Sequence, residues 1–319
     1  MSTISAAVVE NFGESPRYRS VRGPQAPIGG EVVDVIAVGV HPVTRGVAAG
    51  LHYASNESPP MIPGVDGVVR RADGSLAFVI AGDTGTLAER IVINPARAIP
   101  LPRDADPAIV AATMNPVMSS WVVLRARVPF AAGQSVLVLG ATGNAGSMAV
   151  RVARHLGAGR VIAAGRNEER LDALRLEGAD DVVMLTADAA ATAAALAAAA
   201  ADVDVVLDYV WGRPSEYVMD AILGARADAA KVLDWVQIGS TGGSAIALDG
   251  AALRSNAFRI SGSGFGSVSP QVYRKELPEA AAAIMQGALV VRPCCFALAD
   301  IEDAWEHVDV PGERTVVVM

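Results

Sequence analysis

The hydrophobic rhythm of the chain changes near residue 108. Before it, short β-branched runs at residues 6–9, 31–39, 67–71, 76–81 and 88–93 are separated by glycine and proline. Runs of that length between turn residues predict strands. Asp73-Gly74 lies between two of them and predicts a hairpin. From Ala108 the apolar residues recur at helical spacing, through Ala111, Ala112 and Met114 to Trp121 and Leu124. Further on, strands are expected at 135–139, 160–164, 181–185, 203–207, 231–238 and 259–262, with helices at 144–156, 168–177, 187–201 and 215–223 between them. Apolar strands without alternation, spaced by helices, indicate a parallel sheet covered on both faces. One more helix, about 273–286, precedes a β-rich tail at 294–298 and 314–318.

The length of 319 residues suits two domains. A hydrophobic share of 52% against 19% charged gives each a sizeable core and excludes disorder. The expected fold class is α/β: a Rossmann-type doubly wound sheet at 118–267, and a β-rich domain at 1–117 completed by 268–319. A net charge of −8 argues against nucleic acid and anionic membrane surfaces as partners. Mean hydropathy is +0.36, yet the best candidate span, the alanine run at 189–201, has about 13 residues where a membrane helix needs ~20. The first residues, Met1-Ser2-Thr3-Ile4-Ser5-Ala6, carry no basic leader, so a cytoplasmic protein is expected. The two cysteines, Cys294 and Cys295, are adjacent, which excludes a disulfide framework and multi-cysteine metal sites. They read as packing residues. The four histidines are His41, His52, His155 and His307.

The strongest motif follows the strand at 135–139: Gly140-Ala141-Thr142-Gly143-Asn144-Ala145-Gly146. Glycines here allow a tight turn, close approach of backbone to a pyrophosphate, and packing of helix on strand. The helix opening at Asn144 points its N–H groups and positive dipole end at the phosphates. The spacing is G-x-x-G-x-x-G, and its place between strand and helix supports a dinucleotide site. NAD sites end the second strand with an acid that binds the ribose 2′-hydroxyl. Here that strand ends Gly165-Arg166-Asn167, and Arg166 suits a 2′-phosphate, which favours NADP(H). A solvated loop arginine is the other reading. Gly239-Ser240-Thr241 and Gly264-Phe265-Gly266 follow later strands at the ligand-binding end of the sheet, as do Tyr209 and Trp211. The first three border the nicotinamide ribose in this reading. Tyr209 is taken with the cofactor and Trp211 with substrate, core aromatics being the alternative.

The order of these pieces resembles the medium-chain dehydrogenase/reductase superfamily over nearly the whole chain, and specifically its zinc-free quinone oxidoreductase branch. The matching stretches are Ala37-Val38-Gly39-Val40-His41-Pro42, Pro63-Gly64-Val65-Asp66-Gly67-Val68-Val69, Met114 to Trp121, the glycine loop, Val205 to Gly212, and the tail from Leu298. The resemblance implies a GroES-like β domain that caps substrate. Zinc relatives place a cysteine ligand in the loop where His41 stands and a histidine where Val65 stands. Val65 cannot bind a metal, and no metal is expected. Without a Lewis acid, the implied chemistry is hydride transfer from NADPH to a quinone or an α,β-unsaturated carbonyl.

Further roles come from the resemblance. Tyr53 matches a tyrosine near the nicotinamide that would hydrogen-bond the acceptor or supply a proton, the alternative being a packing tyrosine. His41 stands where many relatives carry asparagine, and is either a proton relay or a structural histidine. Asp66 is expected to fix its loop through backbone N–H groups. Asn115 and Ser119 fall where relatives contact cofactor, or cap a helix. A homodimer pairing the strand at 259–262 is implied. The rival readings are a metal-dependent alcohol dehydrogenase using His41, His52 and Asp66, and an NADPH-binding regulator without turnover.

Overall fold

A computed structural model describes residues 3–53, 55, 58–82 and 84–319. The elements begin with β1 (Thr3–Val8), β2 (Arg17–Arg22), β3 (Glu31–Gly39), α1 (Pro42–Ala48), β4 (Asp66–Arg70), β5 (Leu76–Ile80), β6 (Arg90–Ile93), β7 (Ile99–Pro100) and α2 (Pro107–Val122). There follow β8 (Ser135–Leu139), α3 (Asn144–His155), β9 (Arg160–Gly165), α4 (Glu168–Leu176), β10 (Asp181–Met184), α5 (Ala189–Ala200) and β11 (Val205–Asp208). Next are α6 (Gly212–Ala225), β12 (Leu233–Gln237), α7 (Gly250–Ser255) and β13 (Phe258–Gly262). The chain closes with α8 (Pro270–Met285), β14 (Arg292–Ala297), α9 (Ile301–Glu306) and β15 (Glu313–Val318). Two compact units result: Met1–Asn115 with Pro270–Met319, and Pro116–Ser269.

In the second unit six strands run in the order β10-β9-β8-β11-β12-β13, all neighbours parallel. Every residue of β11, and four of the five in β8, is buried. Successive side chains alternate between faces, so both faces of these strands are covered. Leu137, Leu139, Ile162, Val206 and Trp235 form the core between sheet and helices. Counted within the unit, the order is 3-2-1-4-5-6, the doubly wound arrangement. It reverses between β8 and β11, and ligands bind such sheets beyond the carboxyl ends of the strands at that reversal.

In the first unit the main sheet runs β14-β15-β3-β4-β5-β7, with β6 also on β3. It is mixed: β14 and β15 are parallel, the other pairs antiparallel. The Asp73-Gly74 hairpin joins β4 to β5, with Gly74 at φ +82 as a left-handed turn residue. β1 and β2 make a separate antiparallel pair. The apolar core gathers Val33, Val35, Val38, Leu87, Ile301 and Val317 from both ends of the chain.

Among the described residues, the helix at Pro107–Arg127, not the alanine run, is the one long and apolar enough by composition to cross a membrane, and most of it is buried inside the protein. Asn115, Pro116, Ser119 and Ser120 break its apolar run and disguise its length in the sequence. α5 buries only Leu196 and Ala200.

Within the first unit, α2 is tied to the returning segment by Thr113. Its hydroxyl donates to the Val291 carbonyl (3.3 Å) and accepts from the Val291 N–H (3.0 Å), all of it buried. Thr113→Val keeps the shape but strands a buried N–H, which costs about 1–3 kcal/mol. A lowered urea midpoint by that amount is expected; an unchanged midpoint would show that the tie contributes nothing.

Candidate active site

The turn after β8 is built by exclusion of side chains. Gly140 sits at φ +84, a left-handed conformation that favours glycine. A Cβ at Gly146 would lie 2.2 Å from the Gly140 carbonyl oxygen, so only glycine lets α3 come this close to the strand. Gly143 is exposed and forms the N-cap of α3 with no side chain capping the helix. The N-terminal N–H groups of α3 therefore meet no capping side chain. A Cβ at Gly165 would strike Thr142 at 2.3 Å, which brings the end of β9 onto the same turn. Asn144 and Ala145 open the helix and are half-buried. This cradle, which side chains would fill, fits a pyrophosphate.

The ends of β11 and β12 join it. A Cβ at Gly140 would approach Tyr209 at 3.3 Å, and one at Gly239 would meet the Tyr209 carbonyl at 2.7 Å. The Thr241 hydroxyl donates to that carbonyl (3.2 Å). The Tyr209 phenol and the Ser119 hydroxyl share a hydrogen bond of 2.9 Å. Burial pushes this phenol up to about 12, so it stays protonated at neutral pH and able to donate. Ser119 also donates to the Pro116 carbonyl (2.8 Å).

One residue that the motif reading passed over organises this end. Asp208 is fully buried at the end of β11. Its Oδ1 accepts the N–H groups of Val210 (2.8 Å) and Trp211 (2.9 Å), and its Oδ2 accepts the Trp235 indole N–H (2.9 Å). Three donors compensate a carboxylate taken out of water. The signal in the sequence was an aspartate at a strand end followed by an Asx-type turn. Trp211 is thereby held at φ +56, an outlier for a bulky residue that stores strain of roughly 1–3 kcal/mol.

β13 reaches the same end of the sheet, with Gly262 in register with Gln237. The Gly264-Phe265-Gly266 turn that follows is closed by Ser267, whose hydroxyl accepts from Gly264 N–H (3.0 Å) and donates to its carbonyl (2.8 Å). Ser240 is exposed beside Gly239. At the end of β9, Arg166 is exposed and makes no hydrogen bond or ion pair among the described residues. Asn167 next to it caps α4 by accepting from the Arg170 N–H (2.9 Å).

In the first unit, the structure joins residues that the sequence had separated. His41 is 1% exposed and its Nε2 lies 3.2 Å from Asp66 Oδ2. The Asn115 amide donates to that same oxygen (2.7 Å). Asp66 thus grips side chains, not the backbone N–H groups expected of it; its own carbonyl accepts from Thr86. His41 Nδ1 and Asp66 Oδ1 are buried without a hydrogen-bond partner among the described residues. Buried Arg314 is lowered by its burial, which the charges of Asp309 and Asp66 oppose. His52 is lowered by burial and then by His41, but His41, His52 and Asp66 do not gather at metal-ligand spacing among the described residues.

Tyr53 is 67% exposed, stacked on His52 with ring centroids 4.2 Å apart. A second phenol, Tyr273 on α8, is raised by burial and further by Tyr53 nearby; sequence reading missed it because it lies far away along the chain. Cys294 is half-buried and Cys295 exposed, so they are not the core packing residues expected. Period-two alternation on a strand at a sheet end leaves one face open to solvent.

Residues 145–284 match the family model of zinc-binding dehydrogenases. The chain is 30% identical over 358 aligned positions to the "Probable NADPH-dependent quinone reductase tdiC" of Emericella nidulans, with 98% of this chain and 99% of that one covered. It is 27% identical over 167 positions to the NADPH-dependent alkenal/one oxidoreductase, chloroplastic, of Arabidopsis thaliana, covering 47% of this chain and 43% of the relative. The solved quinone oxidoreductase of Thermus thermophilus, studied also in complex with NADPH, superposes with a TM-score of 0.77 at 26% identity over 99% of this chain and 100% of that one. A relative matched end to end, on a sheet of 3-2-1-4-5-6 order, settles the family: the chain belongs to the quinone oxidoreductase-like branch of the medium-chain dehydrogenase/reductase superfamily.

Proposed function

We propose that this protein is an NADPH-dependent oxidoreductase that reduces a quinone or an α,β-unsaturated carbonyl without zinc. The observation that carries the cofactor half is the glycine cradle beside an unpaired Arg166 where NAD sites place an acid. The relatives named above support the acceptor half. The first unit is read as a GroES-like substrate domain and the second as the NADP-binding domain. The zinc-independent reading rests on Val65 at the position of a ligand histidine.

NADPH, when bound, supplies the hydride. Thr142, Asn144, Ala145 and Gly146 present backbone N–H groups to the pyrophosphate, on a turn whose own N–H groups at Gly140 and Gly143 are tied to the Ala164 and Gly140 carbonyls. Arg166, with Gly165 and Asn167, takes the 2′-phosphate by a charge-assisted contact. Gly239, Ser240 and Thr241 border the nicotinamide ribose, with Tyr209, Asn115 and Ser119 nearby in role. Gly264, Phe265 and Gly266 offer backbone to the ligand. Trp211 is read as a wall for substrate. The Tyr53 phenol donates to the acceptor oxygen, and His41, held by Asp66, is the second candidate for moving a proton. The acting form is read as a cytoplasmic homodimer paired through β13, the edge of the six-stranded sheet.

The direct test is NADPH oxidation against a quinone, an alkenone and an enoyl thioester, with Tyr53→Phe alongside. Turnover with at least one acceptor is expected, reduced severalfold in the variant at unchanged cofactor affinity. Tight NADPH binding with no turnover on any acceptor would mean a regulator instead. Arg166→Ala should weaken NADPH by tenfold or more, about 1.4 kcal/mol, while leaving NADH nearly unaffected. Equal losses for both cofactors would remove the 2′-phosphate role. Elution at the mass of a single chain would contradict the dimer.

A further inference from the structure

The returning strands of the first unit carry a second cluster of chemistry-bearing side chains. β14 and β15 pair in parallel, with Arg292 opposite Glu313 and Cys294 opposite Thr315. Alternate residues of a strand share a face, so Arg292 and Cys294 project together on the side of Glu313. His307 follows α9 and enters the same space from the loop before β15. Its Nε2 lies 3.2 Å from Glu313 Oε1. The ligand atoms of Cys294, His307 and Glu313 all lie within 4.8 Å of one another, each residue half-buried.

We propose that these three residues form a site for a divalent zinc-type cation, sharing no residue with the reductase site. The donor set is a soft thiolate, a borderline imidazole and a hard carboxylate, the three side-chain types that zinc accepts in a tetrahedral shell. Zinc bonds of about 2.0–2.3 Å put neighbouring ligand atoms about 3.3–3.6 Å apart. The His307–Glu313 pair, at 3.2 Å, is close to that spacing, and the Cys294 sulfur lies within 4.8 Å of both. The fourth position is left for water. On binding, the sulfur–hydrogen bond gives way to a sulfur–metal bond and the proton leaves to solvent.

The surroundings are built for it. Arg292 donates to the outer oxygen of Glu313 (2.8 Å), which orients the inner one toward His307. The loop carrying His307 is pinned at both ends. Arg45 donates to the carbonyls of Trp305 and His307. Asp309 accepts the Thr315 N–H and hydroxyl, each at 2.7 Å. The site would clasp β14, β15 and the loop between them as a structural tie.

The full-length protein, stripped of metal, is titrated with Co²⁺ and then displaced with Zn²⁺. Wild type is expected to develop a thiolate-to-cobalt absorption band that Zn²⁺ abolishes, and a raised melting temperature with Zn²⁺. Cys294→Ser and His307→Ala should each weaken cobalt binding at least tenfold, while Cys295→Ser leaves it intact. Glu313→Gln is the mild variant should the others fold poorly, and it too should weaken binding. NADPH turnover should persist in Cys294→Ser, which separates this site from any catalytic metal. No band in wild type, or a band that survives in Cys294→Ser, overturns the proposal.

Discussion

A methyl group on residue 146 would lie 2.2 Å from the carbonyl oxygen of Gly140, and this exclusion fixes how α3 meets β8. The helix can advance until its backbone touches the turn, which places its positive end beyond the carboxyl edge of the sheet. The other approaches follow from that placement. Gly165 admits Thr142, Gly140 admits Tyr209, and Gly239 admits the Tyr209 carbonyl. Each contact substitutes backbone for side chain, and backbone N–H groups are what a phosphate-bearing ligand needs. Asp208 closes the arrangement from the next strand by binding the turn at Val210 and Trp211 while anchored to Trp235.

The first unit shows the opposite tendency. His41, Asp66 and Asn115 keep a polar cluster in a place where apolar side chains would pack more favourably. Two of its atoms, His41 Nδ1 and Asp66 Oδ1, have no hydrogen-bond partner among the described residues. Consistency between local preference and global fold fails first at functional sites. This cluster and the positive φ of Trp211 are two such failures in two separate units.

Much of the α/β half was legible because β8, β9 and β11 are apolar runs buried on both faces and α3 carries a clear helical period. The glycine loop was legible because its chemistry is local. The elements that escaped share the opposite property. β2 reads Arg-Tyr-Arg-Ser-Val-Arg and is almost wholly exposed, so no apolar pattern marks it. β7 has two residues, α7 and α9 six each, too short for a period to show. The bond from Asn115 to Asp66 spans forty-nine positions, and the meeting of Cys294 with Glu313 depends on the parallel register of two strands separated by a helix. Spacing along the chain carries no trace of either. Asp66 was assigned a backbone partner because nothing in the sequence reveals which side chain a buried carboxylate will face.

β3 takes part of its edge pairing from β15, Val316 against Gly39, while the unit between them is one continuous stretch. On a ribosome adding roughly 5–20 residues per second, the partner of Gly39 emerges on the order of tens of seconds after it. The Rossmann-type unit has all its strands in hand before then. Through that interval the nascent chain displays an unpaired strand edge, which is a template for pairing with any other chain. The order of its strands thus makes the exposure of the β3 edge at Ala37–Gly39 depend on a strand translated well after the whole α/β unit.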